Sequence, residues 1–498
     1  MQHSRRIILQ CTLLGIFLSL AITMKAQEMW GITTSNYAGS TGVILNPTSI
    51  ITSKLYLDVN IATLDIFLEN NYAYIHQKDY ALFNLFSGKP AFPKYGPDEM
   101  PFDHYTEKSN KFVYSSELIK GPSCMVAVGR HAFALHTGAR TLTSAYEIPY
   151  EIANFGYYGL DYTPQHNINY TSSNFGSAAL VMGEIGLTYA YGFRKISMED
   201  WSAGITVKRL FSVGGGYLRA NNVDYIVPND STINFKNLNA EVGYSLPLDY
   251  ANNDFPDSGP LIKGGGFGMD VGITFQNRAL SYQKKRISKL CRQRYIDYNY
   301  RIGVSLLDFG YVNFKKNAQL HNFENVSKYW MNIDTLNYYN LNDLAGTLSQ
   351  VFYGDPNASL TDNKIRVYLP TAFSVQVDYR AFHNWYAGLV FIQPVRLGKS
   401  YIRRPAQIAL IPRYESHDFE FSLPMSFYDY YHFRLGISVR YHFLTFGSDD
   451  ILGLFGINDF TGLDFYLAVK INFRKGFCGR FNRNVPCENE EYGIRKGR

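Results

Sequence analysis

A stretch of eleven residues near the C-terminus, residues 463–473, alternates without a break between two kinds of side chain. One face of this stretch consists of Leu463, Phe465, Leu467, Val469, Ile471 and Phe473. The other face consists of Asp464, Tyr466, Ala468, Lys470 and Asn472. A period of two predicts a β-strand. At about 3.3 Å per residue and a tilt of about 45°, the stretch rises about 25 Å, the height of the apolar band of an outer-membrane barrel.

The same alternation recurs along the chain, and glycine repeatedly occupies the polar face, as at Gly204, Gly272 and Gly303. Glycine permits the coiling that a closed sheet needs, and it leaves room for an inserted segment. We therefore predict an all-β fold, a closed antiparallel transmembrane β-barrel over residues 54–473. Its strands should number about 14 to 16, because single-chain bacterial barrels have an even number of strands.

Composition agrees with a barrel and excludes a helical membrane protein. After residue 26, no run approaches the 18 or more apolar residues that a spanning helix needs. The 40 Tyr and 35 Phe residues, against 4 Trp, suit the aromatic girdles at the two membrane interfaces. A membrane protein of this composition must satisfy its backbone hydrogen bonds in a closed barrel.

The N-terminus has the features of an export signal. Arg5 and Arg6 precede an apolar run over residues 7–24, and Lys25 and Ala26 follow it. This order predicts a secretory signal peptide over residues 1–26, cleaved after Ala26. The alternative is a membrane anchor, for which the apolar run is short.

The net charge limits which partners the chain can have, and export determines the redox state of its cysteines. Without Arg5, Arg6 and Lys25, the chain has 45 basic and 42 acidic residues, a net charge of +3, which is too small to suggest nucleic acid. An exported chain meets an oxidising compartment, so the closely spaced Cys478 and Cys487 are predicted to form a disulfide. They lie in residues 474–498, which we expect to form a periplasmic tail.

Residues 27–53 are rich in Gly, Ser, Thr and Asn and do not alternate. We predict that they form a plug inside or capping the lumen, with Asn36, Tyr37, Asn46 and Pro47 as its characteristic residues. The first strand is predicted over residues 54–61.

The connections are predicted to be unequal in length. Residues 76–121 and 307–364 are expected to be long external loops, since barrels of this type keep short periplasmic turns. A short helix is predicted over residues 145–160, and another over residues 341–352. Tight hairpins are predicted at residues 381–384, 414–418 and 441–443.

Charged residues fall repeatedly on the inner face of the predicted strands. They are Arg140, Glu184, Lys208, Asp270, Arg301, Asp378, Arg440, Asp464 and Lys470. Because buried charges are usually paired, we interpret them as a lumen network that fixes the barrel. The alternative is a polar lining that selects solutes.

Other constellations carry little chemistry. The eleven histidines show no metal-ligand spacing, so neither a metal nor another cofactor is predicted. No nucleophile elbow, zinc-protease helix or phosphate loop is present. The basic run with Lys284, Lys285 and Arg286 is either a solvated turn or a docking site for an acidic periplasmic partner or lipid headgroups.

Several short segments of the sequence are similar to segments of a known family. They are residues 35–48, 183–187, 266–272, 306–310 and 446–449. Together they resemble a family of outer-membrane barrels from Bacteroidota that is known only as a domain of unknown function. More distantly, the chain resembles long-chain fatty-acid transporters and type IX secretion barrels, in which an N-terminal segment can plug the lumen. The resemblance implies a fold and no catalytic residues.

These observations favour a non-enzymatic protein of the Gram-negative outer membrane, with a transport or channel role for small or apolar solutes. The alternatives are a structural or secretion-associated barrel that acts through protein partners, and an enzyme with its site at the barrel rim. The expected partners are outer-membrane lipid and the barrel-assembly machinery.

Overall fold

The computed structural model describes residues 28–79, 94–96, 99–194, 199–278, 287–288, 294–295, 297–335 and 338–473. The predicted signal peptide, the basic run at Lys284, Lys285 and Arg286, and the tail with Cys478 and Cys487 lie outside these residues. Those three predictions stay predictions.

The described chain forms one sheet of fourteen wall strands, several of them interrupted by a bend or a loop. The wall strands are β1 (Leu57–Asn70), β2 (Lys111–Lys120 and Ser123–Val128), β3 (His131–Ile148), β4 (Tyr170–Arg194), β5 (Glu199–Asn229), β6 (Thr232–Ser245 and Gly264–Arg278), β7 (Tyr298–Phe314 and Ala318–Trp330), β8 (Leu360–Asp362, Ile365–Tyr368 and Ala372–Phe382), β9 (Trp385–Pro394), β10 (Gln407–Glu415), β11 (Phe419–Ser422 and Met425–Tyr428), β12 (His432–Leu435 and Ile437–Tyr441), β13 (Leu444–Ser448) and β14 (Gly462–Phe473).

The sheet closes on itself. Each wall strand pairs antiparallel with the next, and β14 pairs with β1 from Leu57 opposite Phe473 to Glu69 opposite Gly462. Closure leaves no free strand edge, which is the condition for a sheet to cross a membrane. The predicted fold, a closed antiparallel barrel with an even number of strands, is confirmed.

The two faces of the wall differ as the alternation predicts. On β14, Phe465 and Ile471 are 37% and 44% exposed, whereas Tyr466 and Ala468 between them are completely buried. The exposed residues are apolar and face outward, where a bilayer covers them. No helix of the described residues is long and apolar enough to cross a membrane.

The two ends of the barrel differ in their connections. Turns at residues 129–130, 383–384 and 442–443 define a short-turn end, and the predicted hairpins are found there. The opposite, long-loop end carries the helices α3 (Tyr150–Tyr158) and α4 (Leu341–Tyr353), with two 3-10 turns (Thr163–Gln165 and Ile333–Thr335). Two short strand pairs lie outside the wall, Ala73–Tyr74 with Asp103–His104 and Ile287–Ser288 with Arg294–Tyr295.

Helix α4 has clear sequence signals at both ends. The Asn340 side chain accepts a hydrogen bond of 2.8 Å from the Asp343 backbone N–H, which caps the first turn. Gly354, in the left-handed region at φ 77°, ends the helix. The helix predicted over residues 341–352 is therefore confirmed.

Some predicted boundaries were wrong. Residues 111–120 belong to β2 and not to an external loop, because their inward face mixes aromatic and charged side chains and hides the alternation. The predicted helix over residues 145–160 begins only at Tyr150, since β3 continues to Ile148. Residues 307–314 and 318–330 extend β7 instead of forming an insertion, and β1 begins at Leu57 rather than at Lys54.

A bulge in β7 reverses which side chains face the lumen. On the side of the bulge toward the short-turn end, Ile302 and Val304 face outward. On the side toward the long-loop end, Phe309 and Tyr311 face outward. The register between β6 and β7 shifts beside Asp308, whose φ is 50°. A bulge adds one unpaired residue and so exchanges the two faces. Asp308 thereby enters the lumen, although strict alternation would place it in lipid.

The lumen near the long-loop end is packed with apolar side chains. A cluster that includes Leu180, Met182, Phe314 and Val367 is almost fully buried inside the wall. Ile402, from the connection over residues 395–406, packs into this cluster, so this connection folds inward. The barrel is therefore filled from the long-loop end by a loop of its own.

A charge in the middle of the apolar belt should destabilise the barrel. We expect Val304→Arg, outward-facing between Tyr300 and Phe309, to lower the free energy of unfolding in lipid vesicles by about 2–4 kcal/mol. Ser327→Arg, exposed on the extension of the same strand, is the matched control and should change it little. Equal losses in the two variants, measured by urea unfolding, would contradict this placement of the bilayer.

Candidate functional site

Residues 28–56 lie inside the barrel and are the main content of the lumen; we term them the lumen segment. It contains two short helices, α1 (Trp30–Thr33) and α2 (Ser49–Thr52), and a 3-10 turn, Gly42–Ile44. Residues 28–43 are all buried. The segment has no strand of its own. Apart from Tyr56, whose backbone bonds to Phe473 and Ala127 where the segment joins β1, its contacts with the wall are made mainly by side chains and by the ends of turns.

Small polar residues give the lumen segment its local structure. The Asn46 carboxamide oxygen accepts hydrogen bonds from the Thr48 backbone N–H at 3.0 Å and from its hydroxyl at 2.8 Å. The Thr33 and Thr34 hydroxyls donate to carbonyls of the preceding turn, at 3.1 Å and 2.6 Å. Such local bonds satisfy a backbone that no sheet or long helix can satisfy. This is why the segment is rich in Ser, Thr and Asn.

Three inward-facing glycines form a bay for the turn at Asn46, Pro47 and Thr48. A Cβ atom on Gly204 would lie 2.9 Å from the Pro47 carbonyl carbon, and one on Gly272 would lie 2.2 Å from the Asn46 side chain. A Cβ on Gly303 would lie 3.0 Å from the same side chain. The wall can approach the segment this closely only because these residues have no side chain. The predicted role of inner-face glycine in making room for an inserted segment is seen directly here.

Ion pairs and hydrogen bonds hold the segment toward the short-turn end. Asn36 donates from its side chain to the Tyr298 hydroxyl and to Glu415, each at 2.9 Å. The Lys54 ammonium lies 3.1 Å from Glu415 and donates to the Tyr386 hydroxyl at 2.9 Å. Buried carboxylates and ammonium groups are tolerated only when they are paired in this way.

The other end of the segment meets the inward-folded loop. The Glu28 carboxylate pairs with the Arg404 guanidinium, which comes from the connection over residues 395–406. The Trp30 backbone N–H donates to Asp449 at 2.9 Å, and Asp449 also accepts from the Tyr466 hydroxyl at 3.0 Å. The lumen segment therefore bridges the wall, the loop and the strand β14.

A third contact group lies beside β1. The Lys470 ammonium donates to the carbonyl of Tyr37 at 3.3 Å and to that of Ala38, and lies 3.5 Å from Asp58. Asp58 in turn accepts from the Ser40 backbone N–H at 2.8 Å. All four residues named for the plug, Asn36, Tyr37, Asn46 and Pro47, are within the lumen and next to wall residues.

Four of the predicted lumen charges form a compact group nearer the long-loop end. Arg140 donates to Asp308 through two nitrogen atoms at 2.9 Å each and lies 3.5 Å from Glu184. Lys208 lies 2.8 Å from Asp270 and 2.7 Å from Asp308. Asp308, which the bulge turns inward, is the shared centre of this group.

The other predicted charges form separate groups. Asp378 is contacted by Arg301 at 2.9 Å and by Arg413 at 2.5 Å, and Arg440 pairs with Glu420 at 3.0 Å. In another part of the lumen, Asp464 lies 3.8 Å from Arg434. All nine predicted charges therefore lie in the lumen and within 4 Å of an opposite charge, but in several groups instead of a single network.

Several central ion-pair partners of the lumen charges were not predicted from the sequence. Arg413 and Glu415 share the inner face of β10 with Gln407, Ala409 and Ile411, so the alternation of that strand could have identified them. Asp308 could not be identified without the bulge. Arg404 lies in a loop, where no periodic pattern exists.

Among the described residues, two cavities lie inside the filled lumen. The upper cavity has a volume of about 80 Å³ and is lined by charged residues such as Lys120, Arg140 and Asp270 together with apolar residues such as Leu118, Leu142 and Ile402. The lower cavity, of about 60 Å³, is lined largely by hydroxyl and amide side chains, among them Thr274 and Gln376. Each has room for several water molecules. The turn at residues 42–45 lies between the cavities, with Val43 and Ile44 on the upper one and Gly42 and Leu45 on the lower.

Other candidate groups contribute little. In the described part of the chain, no group of three or more His, Cys, Asp or Glu residues is placed to hold a metal ion. His131 is exposed and His136 is buried, on opposite faces of β3. Cys124 in β2 carries a free, exposed thiol.

Filling the glycine bay should loosen the lumen segment. We expect Gly204→Ala with Gly272→Ala to speed the hydrogen exchange of amides in residues 28–56, because the added methyl groups would overlap Asn46 and Pro47. Gly192→Ala is the control, since its Cβ would meet the same segment only at Ile51, at an ordinary 3.8 Å. Alanine in a strand is otherwise no less stable than glycine. Unchanged exchange in the double variant would show that the bay does not hold the segment.

A search of curated protein sequences gave no match. Among solved structures, the chain is similar to the toluene transporter TodX of Pseudomonas putida, at 10% identity and a TM-score of 0.40, over 88% of this chain and 95% of that one. A FadL homologue of Pseudomonas aeruginosa matches at 10% identity and a TM-score of 0.26, over 91% and 98%. The translocator domain of the autotransporter NalP from Neisseria meningitidis matches at 6% identity and a TM-score of 0.29, over 84% and 88%.

A family model gives the assignment. The model of a family of unknown function, DUF5723, matches residues 47–449, from the glycine-bay turn to the end of β13. This span includes most of the wall and more than half of the chain. The predicted membership of an unknown-function barrel family is confirmed, while the Bacteroidota origin stays a prediction. The chain belongs to the family of unknown function DUF5723.

Proposed function

We propose that this protein is a non-enzymatic transport barrel of the outer membrane for small polar solutes, kept closed by its lumen segment. The observation that supports this proposal is the occupant of the lumen. Residues 28–56 fill the space between the wall strands through hydrogen bonds and ion pairs, and no covalent bond of the described residues ties them to the wall beyond their connection to β1.

Contacts of this kind can be exchanged for water. A hydrogen bond within a protein contributes only about 0.5–1.5 kcal/mol net, because water replaces it when it breaks. The Asn46 and Thr48 contacts with Gln376 and Thr274 are neutral hydrogen bonds of this type, at 3.0 Å and 2.5 Å. The turn at residues 42–48 contains no charged residue, so its displacement would break no ion pair.

The two cavities support a route through the barrel. They lie on opposite sides of the turn at residues 42–45, so displacement of that turn would join them. The joined space would run beside Lys120 and Arg140 and then beside Thr274 and Gln376. A solute on this route would replace water at each step.

The polar groups of the lining favour polar solutes over apolar ones. An apolar solute would remove water from charged and hydroxyl groups without offering a hydrogen bond, which is costly. A small solute with hydroxyl, amide or charged groups would replace those bonds. Of the small or apolar solutes predicted from the sequence, small polar solutes fit the described lumen better.

A reversible tether tests whether the segment must move. Thr48 and Thr274 have hydroxyl oxygens 2.5 Å apart, so cysteines at both positions are close enough for a disulfide. In a chain with Cys124→Ser and Cys291→Ser, we expect oxidised Thr48→Cys/Thr274→Cys to show no uptake of arabinose or glycine in a liposome-swelling assay. Dithiothreitol should restore the uptake of the same proteoliposomes.

The controls separate the tether from the substitutions. Each single cysteine variant should behave alike with and without oxidant, and deletion of residues 28–50 should give uptake that no longer responds to it. Uptake that persists through the oxidised tether would place the route elsewhere. No uptake by any form, including the deletion, would remove the transport proposal.

A second candidate role, a barrel that acts through protein partners, is supported by the extension at the long-loop end. Strand β5 has 31 residues, far more than a membrane needs, and Tyr329, Met331 and Tyr339 are 53%, 62% and 85% exposed nearby. Affinity purification in mild detergent, with Tyr329→Ser/Met331→Ser/Tyr339→Ser as the comparison, tests it. Recovery of this chain alone in both cases would count against this role.

A further inference from the structure

The outer face of the barrel carries a group of basic side chains at the long-loop edge of its apolar belt. We term it the outer basic patch, and it consists of Arg209, Lys315, Lys316, Lys364 and Arg366. All five side chains are exposed. They come from β5, β7 and β8 or from the bends within β7 and β8, and β6 lies between β5 and β7. The pairing of Arg209 with Phe267, of Phe267 with Tyr311, and of Asn313 with Arg366 places these strands in register at the same height of the wall.

The patch faces the surroundings of the barrel and not its lumen. Arg209 lies between Lys208, which pairs with Asp270 inside the lumen, and the fully buried Leu210. Arg366 likewise lies between Ile365 and Val367, which belong to the inner apolar cluster. Alternation along each strand therefore directs both guanidinium groups outward.

Two arginines of the patch reach the same cross-strand pair, Gly265 and Asn313, from opposite sides. Arg209 donates to the Gly266 carbonyl at 3.2 Å, and a Cβ on Gly265 would lie 3.5 Å from its guanidinium. Gly265 is opposite Asn313 in the sheet, and Asn313 is opposite Arg366. Arg366 reaches back across this pair and donates to the Asn313 side chain at 2.8 Å. The absent side chain at Gly265 leaves a notch between the two guanidinium groups.

Aromatic rings fix the direction of both arginines. The Arg209 guanidinium carbon lies 4.7 Å from the centre of the Phe267 ring, and that of Arg366 lies 4.3 Å from the centre of the Tyr311 ring. Cations are attracted to ring faces, and an arginine stem can cover apolar surface while its charged end stays at the interface. The charges are thus held at the upper edge of the belt before any ligand arrives.

The positive charge of the patch has no ion-pair partner among the described residues. Among the described residues, no carboxylate oxygen lies within 4.0 Å of a side-chain nitrogen of these five residues. Asp257 pairs with Lys263 at 2.6 Å, and Glu241 accepts from the Tyr217 hydroxyl at 2.7 Å. Asp362, two residues before Lys364, is exposed and is not within 4.0 Å of a side-chain nitrogen of the patch. Within the described residues, the patch is therefore open to an anion from outside the protein.

The surface next to the patch is apolar. Phe267, Phe309 and Tyr311 are 63%, 44% and 39% exposed, and Val304 and Ile302 continue the same outer face toward the short-turn end. A ligand that matched this whole surface would have an anionic group at one end and hydrocarbon at the other. A free anion would use only the upper half.

We propose that the outer basic patch binds the phosphate group of a lipid in the outer leaflet, with the acyl chains lying along Phe267, Phe309 and Tyr311. The phosphate occupies the notch at Gly265, where guanidinium groups can donate in pairs to its oxygens. Lys315, Lys316 and Lys364 add attraction at the membrane surface. The site is independent of the lumen, so it does not depend on the transport proposal.

Native mass spectrometry in a neutral detergent tests this site. The full barrel is titrated with diphosphorylated lipid A, with phosphatidylcholine, whose phosphate is balanced by an ammonium group, and with inorganic phosphate. We expect wild-type protein to retain lipid A in preference to the other two. Arg209→Gln/Arg366→Gln should weaken lipid A binding about tenfold, the change that corresponds to a loss of about 1.4 kcal/mol.

The control removes two charges elsewhere. Lys236→Gln/Lys328→Gln changes two exposed lysines in the parts of β6 and β7 that extend beyond the membrane at the long-loop end. This variant should leave lipid A binding unchanged. If the double arginine variant does not fold, Lys315→Gln/Lys316→Gln, located at a bend between strand segments, should weaken binding in the same direction. Equal lipid A binding by wild type and variants would overturn the proposal. So would equal binding of phosphatidylcholine, or of inorganic phosphate as an adventitious ion only.

Discussion

Backbone hydrogen bonding in hydrocarbon is the constraint on which the rest of this structure depends. Every N–H and C=O group at membrane depth needs a partner, and a sheet provides one for all of them only if its first and last strands pair. The pairing of β1 with β14 meets this condition. The alternation of each strand then follows, because one face must contact lipid and the other must not.

A closed barrel of fourteen strands has a second requirement, because its lumen is too wide to be filled by the wall side chains alone. A barrel of about 8 strands is filled by its own side chains, but one of fourteen is wider. Here the lumen segment fills it from one end and the loop with Ile402 and Arg404 from the other. The inner glycines at positions 204, 272 and 303 are therefore part of the same solution, since they shape the wall around the segment.

The sequence predicted the wall better than its contents. Strict alternation, as in residues 463–473, identified the fold, the faces and most hairpins, because a lipid-facing strand allows few alternatives. It failed for residues 111–120, where the inner face mixes aromatic and charged residues, and for Asp308, where a bulge reverses the faces. The partners of the lumen charges, such as Arg404 and Glu415, depend on contacts between distant parts of the chain, which periodicity does not report.

The position of the lumen segment beside the closing strands has a consequence for biogenesis. Residue 56 leads directly into β1, and β1 pairs with β14, the last of the described strands along the chain. Pairing of residues so distant in sequence is slow, because the entropy of closing the long intervening chain must be lost first. Since the segment is joined to β1, we expect it to be enclosed in the same step that pairs β1 with β14 and seals the wall at this seam. An insertion machine that holds the seam open would thus also decide when the interior is filled.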